Sequence, residues 1–286
     1  MTVHEQWDIV SSVGFTALAV AEGRAIESRQ ENRLINDPYA ADLAAAADAP
    51  QFKGPEAAEI LQQFAGGYLG VRTRYFDEFF LRAAASGARQ AVILASGLDT
   101  RAHRLNWPDG MRVFEIDQQK VIDFKVDTLR QLGAQPTAEW HPIPVDLRDD
   151  WATALKDAGF DTGVPTAWLA EGLLPYLPAA AEAQLLQTAT QFSAPGSRVS
   201  IEHFAGNIAA ALQNEQLIEM AKEWGMDLPS LFSGEERPDA DDELRKLGWT
   251  VRHDPALEVA ASYGRTFSEF EEQMQAGQFL TAHLDG

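Results

Sequence analysis

Cysteine is absent from the chain, which excludes disulfides, thiolate nucleophiles and Cys-type zinc sites and fits a reducing compartment. Positive charge is scarce: 23 Lys and Arg face 43 Asp and Glu, for a formal net charge of −20. Such a chain repels phosphate backbones and anionic headgroups, and no basic patch offsets it, so neither nucleic acid nor a membrane is expected as a partner. Long apolar runs are also missing. Nothing in the sequence has the length to span a bilayer, and the opening MTVHEQWDIV lacks the basic region and apolar stretch of a secretion signal. A cytoplasmic globular protein is the expectation. No compact His/Asp/Glu set offers itself to a metal.

What is present is concentrated between Ala91 and Asp117. An apolar run, AVILAS, breaks at GLDTRAHRL, and a second run, RVFEID, ends on acids. The pattern reads as strand, tight turn, helix, strand, acid. Such a turn brings backbone N–H groups and a helix N-terminus to a ligand, and the acid can accept from ribose hydroxyls. The turn A-S-G-L-D-T lacks the full G-x-G-x-x-G that lets a pyrophosphate approach. That favours S-adenosylmethionine (SAM) over a dinucleotide.

The 286 residues are read as one elaborated domain. Residues 1–87 form a helical cover: Leu18, Ala21 and Ala25 recur at helical spacing until Asp37-Pro38, and VRTRYFDEFFLRAAA offers Val71, Tyr75, Phe79 and Phe80 as the face of a helix under a sheet. Residues 88–204 form the core. Strands are expected near 91–96, 112–117, 141–145, 166–170 and 197–203, with helices over 100–106, 118–132, 149–158 and 179–193. The result is an α/β, Rossmann-like, doubly wound sheet with right-handed crossovers. Residues 205–247 read as a polar helical insert, either a lid or a dimer surface, in which Trp224, Met226, Leu231 and Phe232 are lining or core candidates. Residues 248–286 close the sheet through TVRHD and ASYGRTF.

In an open parallel sheet the ligand lies beyond the carboxyl ends of the strands. Gly97, Asp117, Asp146 with Leu147, Glu171 and His203 follow five successive strands. Gly97 lets the methionine part lie against the backbone. Asp117 suits both ribose hydroxyls, and Asp146 suits the adenine amino group, with Leu147 packing on the base. Either Arg72 or Arg74 can form a bidentate pair with the methionine carboxylate, and Arg74 is preferred over its bland alternative, an ion pair with Asp77 or Glu78. Asp99 reads as a helix cap or as a partner of the cofactor amine, and Arg101 and Arg104 as ion-pairing residues of the turn.

The segments RTRYFDEFF, ILASGLDTRAHRL, VFEIDQQKV, PVDLRDD and AEGLLPYLP, with LINDPYA upstream and YGR near the end, resemble the leucine carboxyl methyltransferase family, closest to its bacterial branch of SAM-dependent methyltransferases. The resemblance covers most of the chain in order. It implies a class I methyltransferase fold that holds SAM, and after transfer S-adenosylhomocysteine, through Arg74, Gly97, Asp117, Asp146, Leu147 and Glu171, with Ala95 and Gln118 beside them. One departure is visible: Ala95 stands where the family commonly has glycine.

The expected reaction is O-methylation of a small metabolite. A carboxylate needs no base, whereas a hydroxyl benefits from one, and His203 is the placed candidate with His141 second. Tyr176 is expected near the transferred methyl group. Competing readings are an NAD-dependent oxidoreductase and a non-catalytic SAM-binding module. Pairing with a second copy of the chain as a homodimer stays open.

Overall fold

The computed structural model describes residues 12–47, 49, 65–203, 218, 222, 237–267 and 277–285. The five-residue strand β1 (Gln90–Leu94) is buried at every position, as a strand flanked on both sides and covered on both faces must be. It pairs in parallel with β2 (Arg112–Asp117) and β4 (Thr166–Ala170). The edges continue to β3 (Glu139–Pro144) on one side and to β5 (Arg198–His203) on the other. A C-terminal hairpin finishes the sheet: β7 (Gln278–Leu284) inserts antiparallel between β5 and β6 (Trp249–Pro255), giving the order β3-β2-β1-β4-β5-β7-β6. The strand order reverses between β1 and β4, which opens a crevice at their carboxyl ends.

Alternation along the strands divides the core. Val92, Leu94, Phe114 and Trp168 join one cluster with Trp151 of α6 (Trp151–Asp157) and Leu185 and Leu186 of α7 (Ala179–Gln191). Ala91, Ile93, Val113 and Leu169 face the other way, onto Val71, Phe76, Phe79 and Phe80 of α3 (Gly70–Ala85). The helix expected under the sheet is thus in place. Among the described residues the other α-helices are α1 (Ser12–Ser28), α2 (Ala40–Ala46), the short α4 (Arg101–Arg104), α5 (Gln119–Gln131), α8 (Ala240–Lys246) and α9 (Ala256–Ser262).

The end of the chain departs from expectation. TVRHD does lie in β6, but ASYGRTF is no strand: its first residues finish α9 and Tyr263 caps it. Gly264 then takes φ 72 and Arg265 N–H donates to the Ala260 carbonyl at 2.8 Å, the left-handed ending that glycine makes inexpensive. The closing strand is QFLTAHL instead. Of the expected insert, the described part is Ile218, Lys222 and residues 237–247. Trp224, Met226, Leu231 and Phe232 lie outside the described residues. No helix among the described residues is long and apolar enough to cross a membrane.

Candidate functional site

The carboxyl ends of β1, β2 and β4 meet α1 around a cavity of about 390 Å³, within the size range of small-molecule sites. Its floor is the turn after β1. Gly97 adopts φ 50, and a Cβ there would come within 3.2 Å of the Ala17 Cβ on α1, so the glycine serves both the turn and the close approach of the covering helix. Ala95 adopts φ 53, the only positive φ of a non-glycine among the described residues. An L-residue is disfavoured there.

Asp117 fastens this turn to the end of β2. Gly97 N–H donates to its Oδ2 at 2.6 Å and Gln118 N–H to its Oδ1 at 2.7 Å. Burial pushes the Asp117 pKa above the usual carboxylate range against the opposing pull of those two donors. Beneath the turn, Lys125 of α5 pairs with Glu115 of β2 at 2.7 Å, both fully buried, and donates to Ser96 Oγ at 3.0 Å. A buried pair like this adds little net stability, because desolvation offsets the attraction; here it ties helix, strand and turn together.

A dense ionic network forms one end of the cavity. Arg72 Nε pairs with Glu171 Oε1 at 2.8 Å, and Arg101 Nη1 with Glu171 Oε2 at 2.8 Å. Arg101 also pairs with Asp99 and with Asp77, and Arg104 grips both oxygens of Asp77 at 2.6 and 2.8 Å. Arg24 of α1 reaches Asp37 at 2.8 Å and donates to the Leu98 carbonyl at 2.6 Å. Burial alone would raise the Asp99 pKa, but Arg101, Arg104 and Arg24 outweigh it and hold Asp99 below its ordinary value. At the other end Arg148 donates to Asp146 at 2.9 Å through Nε and at 2.6 Å through Nη2, beside the apolar walls of Leu147 and Val121. A ligand with a zwitterionic end, a ribose and a flat base matches this sequence of surfaces.

Ala95, Gly97, Asp117, Gln118, Asp146, Leu147, Glu171 and Tyr176 all line the cavity, and so does Asp99. Arg74 does not, which corrects the expectation that it holds a carboxylate there. It lies on the exposed stripe of α3, paired with Glu78 at 2.9 Å and set 4.3 Å over the Tyr263 ring, while Arg72 takes the cavity wall. Positions two apart on a helix point about 200° away from each other, so only one of the two can face inward. His203 is likewise not in the wall; it pairs with Asp239 at 3.3 Å. That removes the placed candidate for a base. His141 sits in β3, stacked on Phe114 and 3.0 Å from Glu139. Arg101 and Arg104 act as expected, as buried ion-pairing residues. The sequence reading missed Thr16, Ala17, Val20 and Arg24, which bring α1 over the cavity, and Arg148. The charged ladder Arg74, Glu78, Arg82 at i, i+4 was the available signal for the exposed face of α3.

The family described as leucine carboxyl methyltransferase matches residues 17–190, a segment that holds every described cavity residue except Thr16. The chain belongs to the leucine carboxyl methyltransferase family. A relative from Saccharopolyspora erythraea, named "Putative S-adenosyl-L-methionine-dependent methyltransferase", is 54% identical over 289 residues and covers 100% of both chains. Among solved structures, a DUF574 family protein from Streptomyces avermitilis superposes with a TM-score of 0.57 at 11% identity, covering 94% of this chain and 97% of its own. The magnesium protoporphyrin IX methyltransferase of Synechocystis, solved with bound S-adenosylhomocysteine, gives a TM-score of 0.51 at 11% identity, covering 85% and 100%. At such identities the structures establish the shared fold, the α/β Rossmann-like sheet of class I methyltransferases. The family itself rests on sequence.

Proposed function

We propose that this member of the leucine carboxyl methyltransferase family is a SAM-dependent methyltransferase that methylates an oxygen of a small molecule, with a carboxylate as the first acceptor class and a hydroxyl as the second. The observation that carries the cofactor is the joint of Gly97 and Asp117: a left-handed glycine under α1 and a half-buried carboxylate 2.6 Å from its N–H. The donor set fits SAM. Arg72 and Glu171 suit the carboxylate and ammonium of its amino-acid end, Asp117 the ribose hydroxyls, and Asp146, Leu147 and Val121 the adenine. When bound, SAM supplies an electrophilic methyl group on a sulfonium.

The chain's task is then alignment and the exclusion of water. Among the described residues lining the cavity there is no histidine or lysine, a composition suited to a nucleophile that arrives ionised, as a carboxylate does. Burial first, and the nearby charge of Glu202 second, push the Tyr176 hydroxyl up to about 12. At neutral pH it therefore stays protonated and donates to an acceptor oxygen rather than acting as a base. A cytoplasmic site of action and a small-molecule acceptor belong to this reading.

Incubation with methyl-labelled SAM and a panel of carboxylates and alcohols tests it. Label in alkali-labile products identifies methyl esters, and alkali-stable label identifies ethers. Binding of SAM without transfer to any acceptor favours the non-catalytic SAM-binding alternative.

A further inference from the structure

Behind the cavity wall stands a second carboxylate. Glu202, in β5, is 1% exposed and does not line the cavity. A buried carboxylate is costly unless it is paired and hydrogen-bonded. Here the Tyr68 hydroxyl donates to Oε1 at 2.6 Å, and Arg72 Nη1 donates to Oε1 at 3.1 Å and to Oε2 at 3.0 Å. Burial and the charge of Glu202 push the Tyr68 pKa well up, so Tyr68 remains a donor.

Arg72 is thereby held at two edges. Its Nε pairs with Glu171, which follows β4, and its Nη1 with Glu202 of the neighbouring strand. No hydrogen bond from Nη2 to another described residue accompanies these, and Arg72 lines the cavity. A free arginine side chain samples many rotamers; the buried Glu202 of β5, with the ion pair to Glu171 at the end of β4, removes that freedom before a ligand arrives. Gly172 packs over the same pair, since a Cβ there would lie 3.6 Å from Glu202 Oε2 and 3.9 Å from Arg72 Nη1.

We propose that Glu202, together with Tyr68, is a positioning residue that fixes the guanidinium of Arg72 to receive the carboxylate at the amino-acid end of the cofactor. The proposal rests on the reading that SAM lies in this cavity with that end at Arg72. It assigns to a residue outside the cavity a share of cofactor selectivity, and it predicts that the share is felt only by ligands that carry the amino-acid end.

Calorimetric titration of the full chain with SAM and with 5′-methylthioadenosine, which keeps the nucleoside and lacks the amino-acid end, is the test. Glu202→Gln is expected to weaken SAM about tenfold and to leave methylthioadenosine unchanged. Combined with Arg72→Met, it should add little to the loss that Arg72→Met causes alone. Tyr68→Phe removes one hydrogen bond and keeps the charge; it should shift SAM in the same direction by less, and it decides the matter if Glu202→Gln does not fold. Unchanged SAM affinity, equal losses for both ligands, or additive losses in the double variant overturn the proposal and leave Glu202 a packing role. A wild-type chain that binds SAM no better than methylthioadenosine overturns the placement of the amino-acid end at Arg72, and the proposal with it.

Discussion

Gly97 N–H donates to Asp117 Oδ2 at 2.6 Å, which, beside the bond from Ser96 N–H to the Ile116 carbonyl at 3.0 Å, ties the turn after β1 to the end of β2. The other oxygen of Asp117 is engaged by Gln118 N–H at 2.7 Å. An asparagine cannot reproduce this, because its NH₂ donates where the second oxygen accepted. Asp117→Asn is expected to lower stability in the absence of ligand by about 1 kcal/mol, the net worth of one hydrogen bond at a half-buried donor. Denaturant titration measures it.

Ala95 holds a left-handed backbone at φ 53 without the freedom of glycine. Ala95→Gly should relieve about 1 kcal/mol of strain, partly offset by the greater entropy of glycine in the unfolded chain. The expected result is a rise in the thermal midpoint of on the order of 2 °C, read by calorimetry.

Much of this is legible in the sequence. β1 and β4 announce themselves as short apolar runs, α5 as a helix with Val121, Ile122 and Leu129 on one face, and the ends of β1, β2 and β4 as the place for Gly97, Asp117 and Glu171. These signals are local, and the rule that ligands sit at strand ends converts them into a site. The choice between Arg72 and Arg74 was not local. Both occupy the same helix, and which one faces inward depends on how α3 is rotated against the sheet. His203 failed for a related reason: it ends its strand, but the partner it meets, Asp239, lies 36 positions further on. The contribution of α1 had no motif to betray it, because Ala17 and Val20 line the cavity through placement alone.

The covering helix is held by a latch. Arg265 Nη2 pairs with Glu27 Oε1 at 2.9 Å, and Glu27, 1% exposed, also accepts from Leu34 N–H at 2.6 Å. Arg265→Ala leaves a buried carboxylate without its cation and should cost about 3 kcal/mol. Because α1 carries Thr16, Ala17, Val20 and Arg24 into the cavity wall, SAM affinity should fall with it. Denaturant titration and calorimetry on the same variant check both effects.

His103 is buried between the rings of Tyr39 and Trp140, with centroids 6.0 and 4.6 Å away, and neither of its ring nitrogens has a hydrogen-bond partner among the described residues. Burial first, and Lys125 second, lower its pKa to about 4 from an ordinary 6.5. The unfolded chain therefore binds a proton there that the folded chain refuses between those values. Its contribution is fully present above pH 6.5 and is lost as the pH falls toward 4. His103→Phe should keep the ring packing and flatten the decline of stability over that window, as thermal melts at successive pH values would record.

That the cavity holds SAM through the joint of β1 and β2 is tested by calorimetric titration of the wild-type chain and Asp117→Ala with SAM and with NAD. The wild type is expected to bind SAM with a Kd on the order of micromolar and the variant at least tenfold more weakly, with no NAD binding by either. NAD binding in the absence of SAM binding, or SAM affinity indifferent to Asp117, would contradict it.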